Sequence, residues 1–136
     1  MRNLIMGTAI YTLVIFPITA IWHVLVFQEL YTELGYFKEK ETVLAAAAGL
    51  VNILVQGFVL AALFLRTHFF GTGFSGGLKF AGLVGAFYFS VQVINFVVRK
   101  EISDVTIFVL LEAVYMAFQF GIYGLLMGVF VKPRHV

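Results

Sequence analysis

Four long apolar runs, Leu4 to Phe27, Val43 to Leu65, Phe80 to Val98 and Val105 to Val131, restrict what this chain can become. Each is long enough to cross about 30 Å of hydrocarbon as a helix rising about 1.5 Å per residue. Inside a bilayer the backbone must satisfy its own polar groups, which leaves helices or a closed barrel. The runs are about twice the length of a barrel strand and lack its alternation of apolar and polar residues. The expected fold is therefore an all-α membrane protein, a four-transmembrane-helix bundle, with residues 1–136 forming a single integral membrane domain. A hydrophobic content of 62% against 12% charged residues makes the lipid bilayer its principal partner. The formal charge of +2, with no basic block, points away from nucleic acid. Without cysteine there is neither a thiolate metal site nor thiol catalysis.

The connections are short. Arg2 precedes an apolar run too long for a signal-peptide core, and no small-x-small cleavage site follows it, so it reads as a retained first helix. Gln28 to Thr42 is the first loop, with Leu30, Tyr31, Leu34 and Phe37 at helical spacing; a short interfacial helix to about Leu34 is expected, stopped at Gly35. Thr42 is a candidate cap for the second span. Arg66 to Lys79 contains Gly71-Thr72-Gly73-Phe74-Ser75-Gly76, the letters of a dinucleotide fingerprint. That motif needs a preceding strand, and here an apolar helix precedes it, so the stretch reads as a flexible loop with Phe69, Phe70 and Phe74 at the interface and His68 in water. Six residues, Arg99 to Asp104, join the last two spans and make them antiparallel neighbours. Basic residues at the end of the termini (Arg2, Arg66, Lys79, Lys132, Arg134) outnumber those at the other (Lys38, Lys40, Arg99, Lys100), which tilts the topology toward cytoplasmic termini.

Glu112 is the only acidic side chain inside a run. On a helix advancing about 100° per residue, Glu112, Tyr115, Gln119 and Tyr123 share one arc. The other spans repeat the design: Thr8, Thr12, Thr19 and His23 on the first, Asn52 and Gln56 on the second, Tyr88, Gln92 and Asn95 on the third. Pro17 is expected to kink the first span, and Trp22 to face the interface. Counted from the end bearing the first and third loops, His23, Asn52, Gln92, Asn95 and Glu112 lie roughly 5 to 14 Å deep at helical rise. They should converge as one cluster in one leaflet, with Tyr115 and Tyr88 at its rim.

A charged carboxyl there costs about 2.5 to 3.5 kcal/mol on insertion scales, so Glu112 takes a proton or pairs with a cation, for which His23 is the nearby in-span candidate. Such a pair could titrate, hold a metal with help from the amides, or bind an organic cation. The structural alternative is a protonated carboxyl acting as helix glue, and a His23 satisfied by interfacial water. One histidine and one carboxylate fall short of the usual transition-metal set. Haem is disfavoured because no second in-span histidine is present and His68 lies beyond the opposite end. An intramembrane enzyme ranks last, since no nucleophile or metal constellation accompanies the pair. Two other classes stay open: binding or transport of a small ligand, proton or cation around Glu112, and a non-catalytic subunit or assembly partner.

The second class rests on helix four, where Ala117, Gly121, Gly124 and Gly128 form a small-residue strip roughly opposite the polar arc. If the polar arc faces inward, the strip faces outward and offers a homo-oligomer contact. At Phe16-Pro17, Trp22-His23 with Phe27, Tyr31 and Leu34, Gln56-Gly57, the Gly82 to Gly85 region, and Glu112 with Gln119 and Gly124, the chain resembles small four-span bacterial membrane proteins classed as a domain of unknown function. The resemblance implies a multi-pass protein of the bacterial inner membrane and transfers no functional residues. Small multidrug resistance transporters are similar in architecture, with four short spans and an embedded glutamate, but carry that glutamate in the first helix rather than the fourth.

Overall fold

The computed structural model describes residues 1–37, 43–67 and 70–132, with the side chains of 43–46 left out. The expectations placed on Lys38 to Thr42, on His68 and Phe69, and on Arg134 lie outside the described residues.

Helix α1 (Arg2–Ala20) runs into a π-helical stretch, Ile21–Val26, and the chain then turns into the short α2 (Gln28–Glu33). Helix α3 spans Val43–Arg66. Helix α4 (Gly73–Tyr88) passes through a second π-helical stretch, Phe89–Ile94, into α5 (Asn95–Arg99), and α6 covers Val105–Phe130. Four helices are long and apolar enough to cross a membrane: Arg2–Val26, Ala47–Arg66, Gly73–Arg99 and Val105–Phe130. With no strand among the described residues, the protein is an all-α four-helix membrane bundle.

The third span begins earlier than its apolar run. Gly71 and Gly73 take φ values of 78° and 68°, left-handed conformations that turn the chain sharply into α4. The glycine-rich stretch is thus a turn and the first turns of a helix rather than a flexible loop. Just beyond it, glycine is needed at Gly77 because α4 and α6 approach backbone to backbone. A Cβ on Gly77 would overlap the Gly124 carbonyl oxygen, and one on Gly124 would overlap the Ala81 methyl. Helices α1 and α3 use the same device less tightly, with a Cβ on Gly57 meeting Tyr11 Cβ at 3.0 Å.

The helices are ordered α3, α1, α6, α4, and α3 and α4 do not pack against one another to any comparable extent. Tyr11 and Tyr123, both fully buried, join the two inner helices edge to face at 5.0 Å between ring centres. The side between α3 and α4 is closed at one end, where the buried rings of Phe64 and Phe80 meet edge to face at 5.2 Å, and is open toward the end bearing α2. Asp104 caps α6 by accepting from the Ile107 N–H at 3.0 Å, and the short connection before it makes α5 and α6 antiparallel neighbours.

Helix α2 departs from its expected place on the membrane surface. It folds back so that Tyr31 (0% exposed) and Leu34 (3%) are buried in the bundle. Ser103 fixes its end, donating through its hydroxyl to the Glu33 carbonyl (3.0 Å). Gly35, at φ 82°, stops the helix as its position suggests.

Candidate functional site

His23 and Glu112 meet at the inner face of the bundle, with 3.2 Å between Nε2 and Oε1. Both are buried. His23 sits in the π-helical stretch that ends the first span, and its Nδ1 lies 3.2 Å from the Thr19 carbonyl. A carbonyl can only accept, so Nδ1 carries a proton. The Nε2 to Oε1 contact then needs one more proton, on either atom. The pair is net neutral either way, as imidazolium with carboxylate or as imidazole with carboxylic acid.

Two tyrosines complete the cluster. Tyr31 donates its hydroxyl proton to Glu112 Oε1 at 2.6 Å and accepts from Trp22 Nε1 at 3.1 Å. Burial, and after it the hydrogen bond to Glu112, raise the pKa of the Tyr31 phenol above its ordinary value, which keeps Tyr31 a donor. The Thr19 hydroxyl donates to the Ile15 carbonyl (2.7 Å), so the Tyr115 hydroxyl, 2.7 Å from Thr19 Oγ1, is the donor to it. Tyr115 also stands edge-on to the His23 ring at 4.6 Å. It is buried and packs on His23 rather than standing at a rim. Trp22 is half-buried between Phe27 and Tyr115, at 4.7 and 6.0 Å, instead of facing the interface alone.

The cluster opens on a cavity of about 390 Å³ between α3 and the second π-helical stretch. Asn52 and Gln56 line it from α3, Gln92 from the opposite wall, and Thr19, His23, Glu112, Tyr115 and Gln119 from its back. A second cavity of about 330 Å³, lined by Asn95, Arg99 and Lys100, also reaches Gln92 and Glu112. The structure thus joins His23, Glu112 and Tyr115 directly and places Asn52 and Gln92 on the walls of their cavity. Asn95 lines the second cavity alone, and Tyr88 lies against Phe120 (5.1 Å between rings) without lining the larger one.

Asn52, Gln92 and Asn95 do not converge on the carboxyl as one hydrogen-bonded cluster; all three are exposed. For the third span the reason is its π-helical stretch. A π turn takes more residues than an α turn, so a phase counted at about 100° per residue is lost across it. Val93 (1% exposed) takes the buried position instead. For Asn52 the reason is the helix order, because α3 is an outer helix packed mainly on α1.

Tyr31 was missed as a site residue because it lies outside the apolar runs. Its signal was the spacing of Leu30, Tyr31, Leu34 and Phe37, which marks an apolar helical face without saying what covers it. A second polar group lies deeper, where Tyr11 donates to Gln56 Oε1 (2.9 Å) and accepts from Gln119 Nε2 (3.2 Å). Among the described residues no group of three or more His, Cys, Asp or Glu side chains stands where it could hold a metal ion.

The small-residue face of α6 divides. Gly124 and Gly128 pack against α4, since a Cβ on either would meet Gly77, Ala81, Gly73 or Phe74. They are not free for the outward contact expected of them, because α6 is an inner helix with neighbours on two sides. Ala117 is exposed, and a Cβ on Gly121 would stand in open space.

No protein-family model, curated protein or solved structure matches the chain.

Proposed function

We propose that the protein binds a small ligand, or passes a proton or cation, at the intramembrane cluster around Glu112. One observation carries this reading: the buried His23–Glu112 pair forms part of the wall of an open cavity of about 390 Å³ instead of lying in a sealed core. The carboxamides of Asn52, Gln56 and Gln92 supply donors and acceptors around that space. A cation reaching Glu112 would displace the shared proton and keep the site neutral, whereas adding it to a charge already balanced would be costly in hydrocarbon. The two π-helical stretches, which carry His23 and Gln92, also favour a working site, since such irregularities recur where helices serve function. The reading takes a bacterial inner membrane as its setting from the sequence resemblance alone, and takes the termini as cytoplasmic because five basic residues stand at their end against four at the other.

The test is calorimetric binding of small inorganic and organic cations to the detergent-purified protein in two buffers of different ionisation enthalpy. Wild type should release a proton for each cation bound, and Glu112→Gln none. Equal binding by the variant, or binding without proton release, would contradict the reading.

A second reading, an assembly partner or non-catalytic subunit, is favoured by a shallow cavity of about 360 Å³ on the outer face of α4 and α6, lined by Gly82, Gly85, Ala113, Ala117 and Gly121. Small residues there leave room for a helix of a second copy. Gly121→Leu with Ala117→Leu should shift a detergent-solubilised oligomer toward monomer; unchanged size would remove this reading.

A further inference from the structure

We infer that the end of the bundle farthest from the His23–Glu112 pair holds the phosphate of an anionic phospholipid between Arg2 and Arg66. The inference is independent of any role for Glu112.

A cavity of about 410 Å³ lies between the start of α1 and the end of α3, with Arg2 and Arg66 on its walls and Leu4, Ala62 and Leu65 lining the rest of it with Asn3. Among the described residues neither guanidinium makes a hydrogen bond or ion pair; the ion pair there is that of His23 with Glu112. Nor is there an acidic side chain near them among the described residues. Of the acidic residues among the described ones, Glu29, Glu33, Glu101 and Asp104 lie in the two connections at the opposite end, and Glu112 lies in a span. Arg2, Arg66, Lys79 and Lys132 gather at this end with no acidic side chain among the described residues there.

Two arginines from different helices facing one cavity suit an anion with several oxygens, because each guanidinium presents a planar fork of donors. Their height selects the source. Both stand at the ends of membrane-crossing helices, the level of the lipid headgroups, where basic residues between helices attract acidic lipids. The apolar lining formed by Leu4, Ala62 and Leu65 suits the start of an acyl chain and offers nothing to a soluble phosphate ion. Asn3 is already engaged, its side chain donating to the Lys132 carbonyl at 3.0 Å, so it holds the chain beside the cavity rather than competing for the ligand.

Native mass spectrometry of delipidated protein, titrated with short-chain phosphatidylglycerol or phosphatidylcholine, tests the site. Wild type should retain the anionic lipid preferentially. Arg2→Gln and Arg66→Gln, one on each helix, should each weaken it by about fivefold, the scale of one basic residue at an anionic surface. Lys79→Gln removes an exposed charge from the same end but outside the cavity, and should leave binding unchanged. Three results would overturn the inference: equal retention of the two lipids, a loss with Lys79→Gln as large as with Arg66→Gln, or displacement of the lipid by inorganic phosphate at comparable concentration.

Discussion

The hydroxyl of Tyr31 donates to Oε1 of Glu112 at 2.6 Å, tying a residue from the connection between the first two spans to the interior of the last one. Both side chains are buried, at 0% and 4% exposure. Helix α2 does not cross the membrane, yet it supplies a ligand-like donor to the only acid within a span. The carboxyl is held by parts of the chain distant in sequence, His23 from one side and Tyr31 from another, so its geometry depends on the whole end of the bundle being assembled.

Tyr31→Phe keeps the ring and removes the hydroxyl, leaving Glu112 one donor short and Trp22 Nε1 without its acceptor. A loss of about 1 to 3 kcal/mol in stability is expected from unmaking these buried bonds. Trp22 is the only tryptophan, so its fluorescence reports the change directly. An unaltered emission spectrum together with an unaltered melting temperature would show that the hydroxyl holds nothing in place.

Glu112→Gln and Glu112→Leu should behave differently. Both partners bond the same oxygen, Oε1, so glutamine can keep the Tyr31 bond with its oxygen there or donate to His23 Nε2 with its nitrogen there, and the variant should fold with a stability between wild type and leucine. Leucine leaves His23 Nε2 and the Tyr31 hydroxyl proton buried without their partner, at about 1 to 3 kcal/mol for each. Equal stability of the two variants in a denaturant titration would mean that water, and not Glu112, satisfies His23 and Tyr31.

Small residues separate into two kinds by position. Gly77→Ala and Gly124→Ala would force α4 and α6 apart and should each cost about 1 to 3 kcal/mol or more by overpacking. Gly121→Ala meets open space and should be neutral, or stabilising by up to about 1 kcal/mol through helix propensity. Melting temperatures in detergent would check the ranking, and a Gly121→Ala variant as damaged as Gly77→Ala would contradict it.

Much of this was legible in the sequence. Run length alone gave four crossing helices, and the arc drawn through Glu112, Tyr115, Gln119 and Tyr123 does lie inward on α6, where all four are buried. That arc survives because α6 is regular from Val105 to Phe130. The arc on the third span fails at Gln92 and Asn95 because a π-helical stretch intervenes, which no 3.6-residue count detects. The outward placement of Gly124 and Gly128 fails for a different reason. Helical phase says which residues share a face, but not how many neighbours the helix has, and α6 has one on each side. Tyr31 escaped because its helix carries too little apolar length to mark it as part of the bundle.

The most direct measurement is infrared spectroscopy of the reconstituted protein on transfer from H2O to D2O, with Glu112→Gln used to assign the Glu112 band. If the carboxyl shares a proton with His23 on the wall of a cavity open to its surroundings, that proton should exchange while the protein stays folded and the Glu112 band should shift. The shift should be absent from Glu112→Gln and altered in His23→Gln. A Glu112 band that does not exchange until the protein unfolds would contradict the account, and would reduce the pair to a sealed hydrogen bond holding two helices together.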